Sequence, residues 1–186
     1  MLMTVEELKQ YIKTEEPDAL LAAKLAAIEL TIRKYTNNNF QKRGFRVTAD
    51  IKAGVFMSNS LIPFNVGDTI MISESDLQSD CLCTVKEVND TTFTVQEGVA
   101  DDDSVLVTKV EYPLDVKLGA VNILKWQLKN EAAAAGDTSK KDVQSETLSR
   151  YSVTYATDST EADIDVNFGV PKKHVAFLSL YEKARF

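Results

Sequence analysis

The hydrophobic period of this chain changes twice, and that change limits how it can fold. Up to Thr36, apolar residues recur at helical spacing: Leu8, Tyr11 and Ile12, then Leu21, Leu25, Ile28, Ile32 and Tyr35 in steps of four and three. From Phe45 the period drops to two. Phe45–Ile51, Thr69–Ser73, Leu82–Val88, Thr92–Gln96 and Ser104–Val110 each alternate apolar with polar residues. Turn-forming stretches at Val66-Gly-Asp68, Ser79-Asp80, Asn89-Asp90 and Asp101-Asp-Asp103 separate them. At Pro113 the helical period returns. Alternation at period two does not build one buried face on a helix, so a β-rich region must lie between two helical ones. The expected fold class is α+β. Helical segments precede and follow a β-rich stretch over 45–111 that is expected to be a small antiparallel β-barrel or sandwich.

Local signals refine this frame. Thr4-Val-Glu-Glu7 is a capping box that starts a short helix over 5–14. Pro17 and nearby acids start a long helix over 18–36, whose Ala22, Ala23, Ala26 and Ala27 allow close approach of a neighbour. Pro113 opens a third helix with Leu114, Leu118, Val121, Leu124 and Leu128 on one face, widened by Ile123 and Trp126. Gly119 inside it costs about 1 kcal/mol relative to alanine, a cost that a close neighbour would explain. An Ala-rich stretch and a polar loop fill 131–142. Thr147, Ser149, Tyr151, Val153 and Tyr155 alternate as one strand, and Ile164, Val166 and Phe168 as a second, giving the hairpin. Pro171 opens a last helix carrying Val175, Phe177, Leu178, Leu180 and Tyr181, which either folds back on the core or docks on a partner.

Charge is uneven. Between Phe45 and Tyr112 there are four Lys/Arg and twelve Asp/Glu, while the whole chain carries −7. The β-rich region therefore holds the acidity, which disfavours a nucleic-acid backbone there. The rest of the chain is close to neutral. No run of eighteen apolar residues spans a membrane, and the first residues lack the basic-then-apolar order of a signal peptide. Cys81 and Cys83 read as small strand residues in a reducing compartment rather than a disulfide or a zinc site. Asp101–Asp103 lacks the alternating oxygens and closing acid of a calcium loop.

His174, the one histidine, offers no nucleophile relay, and no Gly-rich phosphate cradle is present among seven glycines. No catalytic residue, metal or cofactor is expected, and the chain is read as not an enzyme. Residues 5–36 have a helix-turn-helix outline, but the second helix is Ala/Leu-rich and short of polar base readers.

Four features in order carry a resemblance. They are Thr4-Val-Glu-Glu-Leu-Lys9 with a long helix ending Ile32-Arg-Lys-Tyr-Thr-Asn37; Asp115-Val-Lys-Leu-Gly-Ala-Val-Asn-Ile-Leu-Lys-Trp126; Gln144-Ser-Glu-Thr-Leu-Ser-Arg-Tyr-Ser-Val-Thr-Tyr155; and Leu178-Ser-Leu-Tyr-Glu-Lys-Ala-Arg-Phe186. Over 1–44 and 112–186 the chain resembles the head–tail connector (adaptor) proteins of long-tailed bacteriophages, with 45–111 as an insertion. The resemblance implies that 1–44 and 112–186 form a small helical bundle with a β-hairpin, and that the protein is a structural virion component at the head–tail junction, made in the host cytoplasm. It implies a homo-oligomeric ring of twelve subunits beneath the portal protein, extending the channel through which genome DNA passes without sequence-specific binding. It also implies a platform for the next neck protein, a stopper or head-completion protein. The segment that would reach the portal maps to Leu178, Leu180, Tyr181, Lys183, Arg185 and Phe186; core packing is the competing reading of Leu178 and Tyr181. In such a ring the strand Ser149, Arg150, Tyr151, Ser152, Val153, Thr154 and Tyr155 would pair with the next subunit. The alternative function is a DNA-packaging or DNA-binding accessory protein acting through the first two helices.

Overall fold

A computed structural model of the 186-residue chain describes residues 1–136, 145–148, 151–154 and 164–184. The chain is α+β, with a closed six-stranded antiparallel barrel and several helices. It divides into two compact units, Met1–Leu2 with Asn38–Pro113, and Met3–Asn37 with Leu114–Phe186. The stretch 45–111 lies within the first.

The barrel follows directly from the alternation. Its strands are β1 (Gln41–Lys52), β2 (Val55–Met57), β3 (Thr69–Ser73), β4 (Cys81–Val88), β5 (Thr92–Val95) and β6 (Asp102–Val110). The order around it is β1-β2-β5-β4-β3-β6, with β6 closing on β1, so no edge is left unpaired. Val47, Ala49 and Ile51 of β1 point inward, while Arg46 and Thr48 point out. Val105 and Val107 of β6, Ile70 and Ile72 of β3, and Cys83 and Val85 of β4 complete the lining. Phe93 sits at its centre, stacked on Phe56 at 4.4 Å and edge-on to Phe64 at 5.6 Å.

One strand has no strong sequence signal. β2 is three residues long, and the turn before it is Ala53-Gly54, with φ of 52° and 76°. Two left-handed central residues are the twist-matched hairpin turn, but Ala-Gly is a weaker sign of it than Asn-Gly. Gly67 (φ 86°) and Asp68 turn the chain into β3, where an Asp68 carboxylate oxygen accepts the Asn65 N–H at 2.8 Å. Asp101 accepts the Ala53 N–H at 2.8 Å, and Asp102 accepts from the Ser75 hydroxyl. The aspartates of the acidic turn thus hold loops, Asp101 through a backbone amide and Asp102 through a hydroxyl.

In the second unit, α1 (Val5–Tyr11) begins with Thr4 Oγ1 accepting the Glu7 N–H at 3.1 Å. The helix stops before residue 14 because Ile12 turns extended (φ −132°) and is itself buried. α2 (Asp18–Thr36) buries Leu21, Leu25, Ile28 and Ile32, the expected stripe, and ends at Asn37 in the left-handed conformation (φ 48°). α3 (Leu114–Gly136) buries part of the expected face, Val121 and Leu124 with Ile123 beside them, but not the part in its first turns. Leu114 and Leu118 are 64% and 39% exposed, whereas Val116, Ala120, Ile123 and Leu124 are buried. Over those turns the buried stripe shifts to the side of Gly119, where the Phe177 ring approaches and which the sequence pattern scores as a gap.

The hairpin also differs. Ser145–Leu148 (β7) pairs with Tyr151–Thr154 (β8), Leu148 opposite Tyr151, so the expected continuous strand from Thr147 folds back on itself. Ser149, Arg150, Tyr155 and the turn Thr157–Thr160 lie outside the described residues. Ile164–Asp165 (β9) pairs instead with Val170–Pro171 (β10). Asp165 accepts the N–H groups of Asn167 and Phe168, and Gly169 (φ 63°) completes the turn. That turn leaves Val166 95% exposed and Phe168 buried. The last helix is replaced by two 3₁₀ turns, Lys172–His174 and Ala176–Tyr181, short pieces of the kind that fit between tertiary anchors.

Candidate functional site

Residues 172–184 form a strap against helices of their own unit, and each anchor is specific. The far end of the Phe177 ring sits against Gly119 of α3, where a Cβ would overlap it. Leu178 is completely buried and Val175 nearly so. Burying a leucine side chain contributes about 1.5–3 kcal/mol, so Leu178 is the largest apolar anchor of the strap. Its 3₁₀ geometry turns Leu180 outward, 79% exposed.

Polar anchors hold the far end. The Tyr181 hydroxyl donates to the carboxylate of Asp115, with oxygens at 2.8 and 2.7 Å, in the first turn of α3. That hydrogen bond, with some burial and the Asp115 charge, raises the Tyr181 pKa above its ordinary value. The Lys183 N–H donates to the Thr36 carbonyl at 2.8 Å, and the Asn37 side-chain amide donates to the Ala184 carbonyl at 3.2 Å. The left-handed residue that ends α2 is therefore also a clasp for the strap. Tyr35 meets Phe168 edge-on at 5.7 Å. Burial first, then the charges of Asp165 and Glu182, raise its pKa. Burial and Lys173 lower the His174 pKa, which leaves the imidazole uncharged near pH 7.

The expected portal residues thus have different roles within this unit. Leu178 is core, Tyr181 is a hydrogen-bonded clasp and Lys183 contributes its backbone. Leu180 faces outward, and Arg185 and Phe186 lie outside the described residues. Of the expected subunit-interface strand, Tyr151, Ser152, Val153 and Thr154 form β8 in a two-stranded sheet whose outer edges have no partner strand among the described residues.

Two polar grooves lie outside the barrel, of about 450 and 400 Å³, sharing Arg46 and Leu106 in their linings. The sequence gives little sign of them, because they arise from strand tilt and a bulge rather than from a motif. Among the described residues no three His, Cys, Asp or Glu side chains are arranged to hold a metal. Cys81 and Cys83 have their sulfurs 3.9 Å apart, and burial, then Cys81, pushes the Cys83 thiol up to about 12. A thiol so protonated is a poor nucleophile. No described helix is long and apolar enough to cross a membrane. No protein-family model matches the chain, and no curated protein matches it.

Proposed function

We propose that the protein is a structural head–tail connector of a tailed phage, whose helical unit is the small bundle of that reading. It forms a ring under the portal protein, extends the DNA channel and offers a platform to the next neck protein. The observation that carries this reading is the construction of the strap. A segment held by a few separate contacts, Val175, Phe177 and Leu178 with one hydroxyl clasp and a few backbone bonds, can leave its own helices without opening the rest of the unit, since terminal elements open locally first. Leu178, Tyr181 and the outward Leu180 then become anchors for a groove on the portal, with Lys183 and Arg185 matching acidic groups there. β8, the described part of the expected interface strand, supports the same reading: a two-stranded sheet is marginal alone and gains from a third strand on the next subunit.

The experiment is the native mass of the protein alone and mixed with its portal, at low and high salt, with and without residues 172–186. Apolar docking gives a ring on the portal that survives salt and is lost on truncation. No association with portal at any salt, together with DNA binding that falls steeply as salt rises, would replace the connector by the DNA-accessory reading.

A further inference from the structure

The smaller barrel groove carries both signs of charge and no ion pair across it. Its volume is about 400 Å³; Arg43 and Arg46 of β1 line one side, Glu74 and Asp80 of the β3–β4 connection the other, with Leu106 and Thr108 of β6 between. A bulge produces it. β1 pairs with β6 at Gln41↔Val110 and next at Arg46↔Thr108, so four residues of β1 stand opposite one. Lys42, Arg43, Gly44 and Phe45 are thereby lifted off the ladder into solvent.

The lysines here already have partners. Lys42 pairs with Glu111 at 2.6 Å and Lys109 with Asp68 at 2.7 Å, and both lie over the Phe45 ring at 4.8 and 6.0 Å. The side chains of Arg43, Arg46, Glu74 and Asp80 make no hydrogen bond or ion pair among the described residues.

We infer that this groove is where two copies of the chain pair about a two-fold axis, Arg43 and Arg46 of each facing Glu74 and Asp80 of the other. A nucleic-acid backbone satisfies the arginines but meets Glu74 and Asp80. An acidic peptide leaves the same carboxylates facing its own. A partner must present both signs in reversed order, and a two-fold-related copy of the same groove does so. Guanidinium–carboxylate pairing is bidentate and directional, which sets the register. Exposed ion pairs alone hold little, so apolar area is needed as well. It is present on both sides: Phe45 on the bulge is 38% exposed and Leu77, between Glu74 and Asp80, is 69% exposed. The inference goes beyond the connector reading and requires no portal.

Sedimentation velocity and native mass spectrometry of the full chain test it. At low salt the native protein is expected at twice its 20.6 kDa chain mass, shifting toward the single chain as salt rises. Arg43→Glu with Arg46→Glu, and separately Glu74→Lys with Asp80→Lys, are each expected to give the single-chain mass. An equimolar mixture of the two variants, or one chain carrying all four changes, is expected to restore the pair. Circular dichroism melts identify any variant that misfolds. In that case Phe45→Ala with Leu77→Ala, which leaves every charge in place, should weaken pairing at least about tenfold. A native chain that stays single at every salt and concentration overturns the inference. So does a pair that either charge-reversed variant keeps. Portal association by those variants is read separately, so the connector reading can stand where this one falls.

Discussion

The barrel and the helical unit are stabilised in different ways. Every barrel strand is registered against two neighbours, and its interior is a continuous cluster from Val47 to Val107 around Phe93. A local opening there breaks two ladders and exposes core, so the barrel should open only as a whole. The helical unit has a shared apolar core, but its strap from Lys172 onward depends on Phe177 over Gly119, on Leu178, and on bonds to Asp115, Thr36 and Asn37. Closed pairing makes a rigid body, and separate anchors make a segment that can detach by itself.

The largest expected effect is in the barrel. Phe93→Ala removes a fully buried ring that contacts two others and should cost about 3–5 kcal/mol, read as a lower denaturant midpoint with the strand signal lost in one step. A stepwise loss would contradict the all-or-none barrel. Leu178→Ala should cost about 2 kcal/mol, the low end for a buried leucine, because a strap can collapse into the space. Its signature is proteolysis confined to 172–184 at unchanged barrel melting.

Gly119→Ala sharpens the same contrast. It expels the Phe177 ring while favouring the helix by about 1 kcal/mol. The strap should become protease-sensitive while α3 melts no lower. Tyr181→Phe is smaller, about 1 kcal/mol, since a partly exposed hydroxyl–carboxylate bond is lost. The Tyr181 pKa is raised in the folded protein, so its contribution is whole below the ordinary tyrosine value near 10 and fades as pH rises through the raised one. Tyr35, raised chiefly by burial, adds to the same alkaline loss. Protease sensitivity of the strap should therefore be flat from neutral pH to about 9 and increase above about 10, less so in Tyr181→Phe. The least effect is expected at Cys83: its buried, strongly protonated thiol should resist alkylation in the native state and react only when the barrel unfolds.

The same contrast explains what could be read from the residues. Alternation located five of the six barrel strands, because period two reports directly on a chain with one face turned to a core. It missed β2, whose three residues are too few to show a period, and the bulge at 42–45, which interrupts one. The stripe on α2 was legible, and so were Val121 and Leu124 on α3, whereas the first turns of α3 were misread because Phe177 approaches there over a glycine. The strap was legible as apolar and basic. Its 3₁₀ turns and its clasp on Asp115 were not, because they depend on residues about sixty positions away in sequence. The groove that places Arg43 and Arg46 opposite Glu74 and Asp80 depends on β6 lying between β1 and β3, which topology alone supplies.

Hydrogen exchange, followed with and without the portal, tests the central claim most directly. Alone, amides of β3 and β6 should exchange only on global unfolding. The Leu178 and Lys183 amides, bonded to Val175 and Thr36, should exchange orders of magnitude faster. With portal present, residues 172–184 should become the most newly protected part of the chain. Strap amides that exchange as slowly as β6, or that gain no protection on the portal, would contradict a detachable docking segment.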